Sequence, residues 1–415
     1  MVSDSAQTGF GRVGRELARR FVAAGVDLRM LAVNWRGREG EVVGLLRSNP
    51  QADVGAFLAE FDADPLNRLM VPAITGGDMM GNAITGKAID GSLFTDHWRP
   101  EKVLVVADPR AMSERLDLNR AALESLPVYN YVPIEGAPLP KAWQALWTHV
   151  QPIAMSTYGQ GLLQGLLGRD VAMVPHGVSD AFFPISPRNP ATLGGQPIRT
   201  KAEAKTAFGL DGKTVFLRTD RFVPRKNYPA LFRTMAPVLD EDPSRELVIH
   251  CHPVDEGGTM AELVSLLPGA FEISMKWRHP QVRFTGGHDT YRGYPDAMLN
   301  VLYNAADVYV SPTMSEGWGL TLAEAAATGV PVVTTDYAAG PETVGPGGVL
   351  VQPTAYWTNT QGHDWALVDE GAFTAATLRL ANDPAERDRI GRAGSEYVTR
   401  FTWDAAASAF LSAMA

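Results

Sequence analysis

Ser311-Pro312-Thr313-Met314-Ser315-Glu316-Gly317-Trp318-Gly319-Leu320-Thr321-Leu322-Ala323-Glu324-Ala325 is the stretch on which the reading of this chain turns. The β-branched, apolar run Val308–Ser311 at its head predicts a strand, and residues 320–328 predict a helix. Between them, Gly317 and Gly319 bring backbone N–H groups to the start of the helix, which makes a seat for an anion. Glu316 stands before that helix and Glu324 inside it, eight positions on. Two carboxylates at one strand-to-helix end are poor phosphate ligands but good acceptors for sugar and ribose hydroxyls. Phosphate on the amides and hydroxyls on the acids together describe a sugar nucleotide.

Outward from this stretch, apolar runs alternate with helical patterns, the signature of α/β layers around a parallel sheet. In the second half, 214–217, 246–250, Val282–Phe284 and 330–334 predict further strands, with helices at 228–240 and Asp296–Ala305. In the first half, 28–33, 103–107, 153–156 and 171–174 predict strands, and 14–24 and 158–167 helices. Residues 183–200, rich in Pro and Gly, predict an interdomain linker. The last helix, 402–415, has no strand after it.

A chain of 415 residues is too long for one hydrophobic core. We expect an α/β protein of two Rossmann-like, doubly wound domains facing a crevice. An N-terminal acceptor-side domain spans 1–185, a C-terminal nucleotide-sugar domain 186–400, and a terminal helix over 401–415 crosses back to the first. Such folds take ligands outside the carboxyl ends of their strands.

Glu316…Glu324 inside SEGWGLTLAEA, followed by ATGVPVV, resembles the Glu-x7-Glu signature of retaining GT-B glycosyltransferases (glycosyl transferases group 1), the large family that includes sucrose synthases and mannosyltransferases. The resemblance implies that Glu316 contacts the donor sugar and Glu324 the ribose. Phe216-Leu217-Arg218-Thr219-Asp220-Arg221-Phe222-Val223-Pro224-Arg225-Lys226-Asn227 resembles the family segment in which an Arg and a Lys hold the donor diphosphate. Arg221 and Lys226 have the spacing, with Arg218 and Arg225 as competitors. Charge develops on the diphosphate as the glycosidic bond breaks, and fixed cations must meet it. At ~4 Å and an effective dielectric near 20, each such contact is worth on the order of 4 kcal/mol before desolvation.

His176-Gly177-Val178…Phe182-Phe183-Pro184, Val282-Arg283-Phe284-Thr285-Gly286 and Phe401-Thr402-Trp403 are similar to further family passages. These are the end of the first domain, the edge of the nucleotide-base site and the start of the terminal helix. The expected donor site is Gly9, Gly11, Arg221, Lys226, Glu316, Gly317, Trp318, Gly319, Leu320 and Glu324, with Arg221, Lys226 and Glu316 carrying catalysis. The resemblance implies a hexosyltransferase-type enzyme that uses a UDP- or GDP-sugar, retains anomeric configuration and needs no metal cofactor, Arg221 and Lys226 acting where a cation acts elsewhere.

Gly9-Phe10-Gly11-Arg12-Val13-Gly14 fits the GxGxxG dinucleotide pattern, and GFGRVGR resembles the opening of glyceraldehyde-3-phosphate dehydrogenases. That motif must follow a strand, and residues 3–8 do not read as one. Cys251, the chain's one cysteine, lies in a strand-like run without a catalytic setting. Gly9 and Gly11 are therefore read as opening a helix whose free N–H groups face the crevice. On this reading either the first sheet has lost its opening strand or the chain starts short.

The acceptor side departs from the family pattern. Relatives often place a His-Asp pair there, whereas this chain has Tyr129-Asn130-Tyr131-Val132-Pro133-Ile134-Glu135-Gly136. Glu135, Tyr131 and His176 are the candidates to line it. His250 and His252 share one face of a predicted strand, a weak metal pair without a matching carboxylate.

The formal net charge of −9 excludes a strongly electrostatic nucleic-acid binder. One cysteine allows no internal disulfide. No apolar run approaches the ~20 residues a transmembrane helix needs, and no signal-peptide core opens the chain, so we expect a cytoplasmic protein. Its acceptor can be protein, glycan, lipid or small molecule. The rival readings are a non-catalytic sugar-nucleotide-binding or structural protein and a dinucleotide-dependent oxidoreductase.

Overall fold

Met30–Val33, Val103–Val106 and Val128–Val132 are buried at every position, which suits strands of a parallel sheet with helices on both faces. They belong to a sheet of seven parallel strands in the order Met70–Pro72, Met30–Val33, Val2–Asp4, Val103–Val106, Val128–Val132, Val150–Ala154 and Ala172–Met173. A second parallel sheet has six: Val282–Phe284, Arg245–Ile249, Thr214–Arg218, Val308–Ser311, Val332–Thr335 and Gly348–Val351. The structure is a computed structural model, and it describes residues 1–4, 9–35, 37–48, 51–73, 81–94, 96–252, 254–273, 276–285 and 294–415.

Each sheet reverses its winding once. The reversal falls between Val2–Asp4 and Val103–Val106 in the first sheet, and between Thr214–Arg218 and Val308–Ser311 in the second. Crevices at such reversals are where doubly wound sheets bind ligands.

The opening strand, expected to be missing, is present. Val2 pairs with Leu31 on one side and Val105 on the other. Three residues suffice because the neighbouring strands cover both edges, but three residues are too few to show a period in sequence. Residues 5–8 lie outside the described residues. Helix Gly9–Ala23 follows, burying Val13, Leu17, Ala18 and Phe21 at helical spacing. A Cβ at Gly14 would lie 2.3 Å from Ser3 Oγ, so only glycine lets this helix lie so close to its strand.

Two other expectations change. Residues 183–200 are not a bare linker. They carry the hairpin Ala191–Leu193/Gln196–Ile198, whose Ala191 and Ile198 enter the same core as Leu302 and Tyr303. The Phe183 and Ile185 amides donate to Asn300 and Asn304, at 3.1 and 2.8 Å. Val128–Val132, not among the strands expected from the sequence, is an inner strand of the first sheet.

Two elements cross between the sheets. Helix Trp403–Ala413 lays Phe410 against Phe21 and Tyr131, with ring centroids 6.1 and 4.6 Å apart. Hairpin Pro353–Thr358/Asp364–Val368 follows the last strand of the second sheet and reaches the first-sheet side. There the Asp364 amide donates to the Ala137 carbonyl at 3.1 Å, while the Ala366 amide donates to Met314 at 2.9 Å. Among the described residues no helix is long and apolar enough to cross a membrane.

Candidate donor site

Strand Thr214–Arg218 ends at the reversal of the second sheet, and the loop after it turns through Pro224–Lys226 into helix Tyr228–Glu241. Asn227 makes that turn with φ 52°, a conformation Asn tolerates, and caps the helix. The turn aims Lys226 at the motif across the reversal. Six side chains then form an alternating line of charge. Arg218 lies 2.9 Å from Asp220, Asp220 2.7 Å from Lys226, and Lys226 2.6 Å from Glu316. Glu316 lies 2.9 Å from Arg225, and Arg225 3.0 Å from Glu135 on the first-sheet side. Thr313 Oγ1 adds a 2.9 Å hydrogen bond to Glu316.

Such burial is tolerable only because each charge is paired. Burial alone would raise the Asp220 carboxyl, but Arg218 and Lys226 hold it at about 2. Glu316 is likewise held below its usual range, burial being outweighed by Lys226 and Arg225. Burial pushes Glu135 up against the pull of Arg225.

Helix Leu320–Ala327 starts at Gly319, whose φ of 100° suits glycine alone. Gly317 touches the other side of the crevice, since a Cβ there would lie 2.5 Å from Pro133 Cβ. A Cβ at Gly9 would stand 3.6 Å from the Leu320 side chain, so the starts of helices Gly9–Ala23 and Leu320–Ala327 face one another. Two helix starts so close bring two positive dipole ends together. Trp318 is buried between His176 and Phe401, at ring centroid distances of 5.9 and 4.9 Å.

Glu324 lies one turn into the helix and is buried. Its Oε2 accepts from the Tyr303 hydroxyl at 2.8 Å, and its Oε1 accepts from Arg12 Nη1. Arg12 Nη2 lies 2.7 Å from Asp296. Burial pushes the Glu324 carboxyl up to about 7, against the pull of Arg12 and the Tyr303 hydrogen bond.

The structure thus brings together Lys226, Glu316, Gly317, Gly319, Leu320, Glu324 and Gly9, with Gly11 buried in the same helix start. Arg221 is not among them. Its half-exposed guanidinium pairs with Asp255 at 2.9 Å and Glu256 at 3.1 Å. Arg225, one of its sequence competitors, is the arginine that reaches Glu316. Lys226 is buried, because Asp220 and Glu316 enclose its ammonium.

On the acceptor side only Glu135 reaches the crevice cluster. Tyr131 is fully buried in its strand. Its hydroxyl donates to the Val174 carbonyl at 2.6 Å and lies 2.7 Å from His176 Nδ1. The single hydroxyl proton is spent on Val174, so His176 donates. Burial pushes the imidazole down to about 3, and this neutral ring is scaffold behind Trp318.

His250 and His252 do not share a strand face, because the strand ends at Ile249. His250 Nδ1 instead lies 2.7 Å from Thr285 Oγ1. Gly286 lies outside the described residues. Among those described, no group of three or more His, Cys, Asp or Glu is placed to hold a metal ion.

With Val2–Asp4 in place, the stated ground for refusing the dinucleotide motif falls. The thiol argues against a dehydrogenase of the glyceraldehyde-3-phosphate type instead: Cys251 is buried and pushed up to about 12, far from a nucleophilic thiolate. Sequence reasoning missed Arg12, whose side chain was passed over for the glycines around it, and Asp220, whose signal was its place between basic residues in Arg218-Thr219-Asp220-Arg221.

Residues 213–383 match the family described as "Glycosyl transferases group 1". The chain is 31% identical over 246 residues to a D-inositol 3-phosphate glycosyltransferase of Streptomyces griseus, covering 58% of this chain and 47% of the relative. It is 30% identical over 135 residues to the O-antigen chain mannosyltransferase B of Escherichia coli, covering 32% of each. The chain thus spans about half the length, or less, of these curated relatives. Among solved structures, sucrose-phosphate synthase from Thermosynechococcus elongatus superposes with a TM-score of 0.68 at 18% identity, covering all of this chain and 94% of that one. Alr3699/HepE of Anabaena, crystallised with UDP and glucose, superposes with a TM-score of 0.58 at 15% identity, covering 92% and 96%.

Proposed function

We propose that this chain, which carries a glycosyl transferases group 1 domain on a GT-B fold, transfers a hexose-type sugar from a nucleoside diphosphate to an acceptor, with retention of configuration. The observation that carries this reading is the pairing of Lys226 with Glu316 at 2.6 Å beside two facing helix N-termini. It supports the reading because a fixed cation and the start of a helix stand beside a carboxylate, groups suited to a diphosphate and a sugar.

In this reading Glu316 accepts from donor-sugar hydroxyls and Glu324 from the ribose. The line of six charges is neutral as it stands, with three acids and three bases. An arriving diphosphate draws on Lys226 and, because the line is already neutral, also on what lies outside it: the amides of Gly317–Leu320, the dipole end of the Gly9 helix, and Arg221 once it exchanges Asp255 and Glu256. Those donors stabilise the charge of the leaving group without a metal ion. The solved relative with UDP and glucose supports a UDP-sugar as the first donor to try.

The test is a thermal-shift screen of the full chain against UDP, GDP, ADP and dTDP and their sugars, because a ligand of the folded state raises Tm. Donor turnover is then followed for each binder. Stabilisation by one nucleotide class with measurable turnover is expected. Binding without turnover would favour a non-catalytic sugar-nucleotide binder, and no binding at all would sink the donor site.

A further inference from the structure

The glycine-rich opening segment has one residue that the donor-site reading does not use, and its side chain crosses the crevice. Arg12 is the fourth residue of helix Gly9–Ala23. Gly9 lets the helix start approach Leu320, and Gly14 lets the helix lie flat on Val2–Asp4. With its backbone so fixed, the Arg12 guanidinium lies 5.3 Å over the Phe182 ring and forks between two acids of the second sheet's helices. One nitrogen bonds Glu324 and the other lies 2.7 Å from Asp296.

We propose that Arg12 is a positioning residue for the donor's ribose: it orients the Glu324 carboxylate toward the crevice. This rests on the assignment of the ribose to Glu324. Glu324 has a rigid neighbour on its other oxygen, Tyr303, whose hydroxyl is itself fixed 2.6 Å from Thr219. A carboxylate oxygen bonded once still has a lone pair to offer, so one hydrogen bond from Arg12 and one from Tyr303 leave room for two ribose hydroxyls. The fork to Asp296 fixes the plane of the guanidinium and so the direction of Glu324.

The charges facing Glu324 are few. Arg12 comes from the first-sheet side, Tyr303 and Asp296 from helix Asp296–Ala305, and Asp220 from the loop after Thr214–Arg218. Among the described residues Arg12 is the one cation facing it, opposed by two acids and by burial. Without it the carboxyl keeps its proton to higher pH and is a poorer acceptor there.

The experiment measures calorimetric affinity for UDP-glucose and GDP-mannose from pH 6 to 8.5 in wild type, Arg12→Ala, Arg12→Gln and Arg12→Lys. A nucleotide sugar has no phosphate ionisation in that range, so the pH profile reports the protein. In wild type, affinity weakens as pH falls through about 7. Arg12→Ala and Arg12→Gln bind about ten- to a hundredfold more weakly at pH 7, the usual cost of losing a charged hydrogen-bond partner, and their weakening sets in at higher pH. Arg12→Lys recovers most of the affinity.

Unchanged or tighter binding in the neutral variants overturns the proposal, as does an unshifted pH profile. If wild type binds neither nucleotide sugar, the remaining nucleotide sugars of the panel are tried in turn. Failure of all of them removes the donor site itself, a result distinct from an Arg12 effect absent on a binding enzyme. If Arg12→Ala does not fold, Arg12→Gln and Arg12→Lys decide.

Discussion

Arg225 holds two carboxylates from opposite sides of the crevice: Nη1 lies 2.9 Å from Glu316 and Nη2 3.0 Å from Glu135. One guanidinium therefore fixes the acid of the group 1 motif and ties it to the residue that follows a first-sheet strand. Lys226 and Thr313 occupy the other oxygen of Glu316. Glu316, which we propose contacts the donor sugar, is thus already oriented.

Arg221→Ala and Lys226→Ala should differ in stability while agreeing in activity. Each is expected to lower kcat by ~10²–10³, the usual effect of removing one preorganised charge stabiliser. Arg221 is half exposed and its loss should leave Tm nearly unchanged. Lys226 is buried between Asp220 and Glu316, and removing it leaves each acid with a single arginine partner, at a cost of about 2–3 kcal/mol. Thermal unfolding and steady-state kinetics on both variants check this. Near-normal turnover in both would withdraw the diphosphate role.

Glu316→Gln and Glu324→Gln should split kcat from KM. The ribose is bound alike before and during bond cleavage, so losing Glu324 should mainly raise the donor KM. The sugar ring changes shape and charge at the transition state, so losing Glu316 should mainly lower kcat. Calorimetry with the nucleoside diphosphate should show affinity falling clearly in the Glu324 variant and barely in the Glu316 variant. The opposite pattern would reverse the nucleotide along the motif.

The raised Glu324 carboxyl gives stability a pH slope. Its folded value of about 7 exceeds the ordinary unfolded value of about 4.3, so between these the folded chain binds a proton the unfolded chain has released. Its contribution is complete below pH ~4 and is lost as pH rises through about 7, up to ~3 kcal/mol. Glu324→Gln removes the slope, so its Tm relative to wild type should climb between pH 5 and 8. A constant difference across that range would contradict the burial described.

Gly317→Ala should force the two sides of the crevice apart, because the new methyl would meet Pro133 at 2.5 Å. A loss of about 1–3 kcal/mol is expected, as for other overpacked sites. Gly161→Ala is the contrasting case: it lies exposed in helix Thr157–Leu167 with nothing within 4 Å of the new carbon, and should gain ~0.5–1 kcal/mol. Equal Tm values for the two variants would show that the Pro133 contact is soft.

Donor turnover in excess chelator should match turnover with added magnesium or manganese. A strict cation requirement would mean that the diphosphate is held by groups other than Lys226, Arg221 and the motif amides.

The second sheet was legible in sequence almost strand by strand, because runs such as residues 215–217 and 308–310 are apolar without interruption and have glycine or proline near them. The first sheet was less so. Val128–Val132 hides behind Asn130, a buried polar residue whose amide donates to the Val105 and Ala107 carbonyls at 3.3 and 3.0 Å. That satisfaction is tertiary and leaves no trace in a local pattern. Val2–Asp4 was too short to show a period. At the site, the motif announced Glu316 and Glu324, and the spacing announced Lys226. What remained hidden was pairing between residues far apart in the chain: Arg12 with Glu324, and Glu135 with Arg225. Local sequence has no signal for which of several arginines a fold will bring to an acid.

The hairpin over Pro353–Thr358 and Asp364–Val368 has a mechanical consequence. Through Asp364 it is hydrogen-bonded to Ala137 on one flank, and through Ala366 to Met314 on the other, so it rivets the two sides of the crevice along one edge. A jaw riveted at one edge does not part evenly. Either the Ala137–Asp364 bond breaks each time the mouth gapes, or the two halves swing about that edge like a book about its spine. In the second case the widest travel falls at the far edge, and the nucleotide would enter from there.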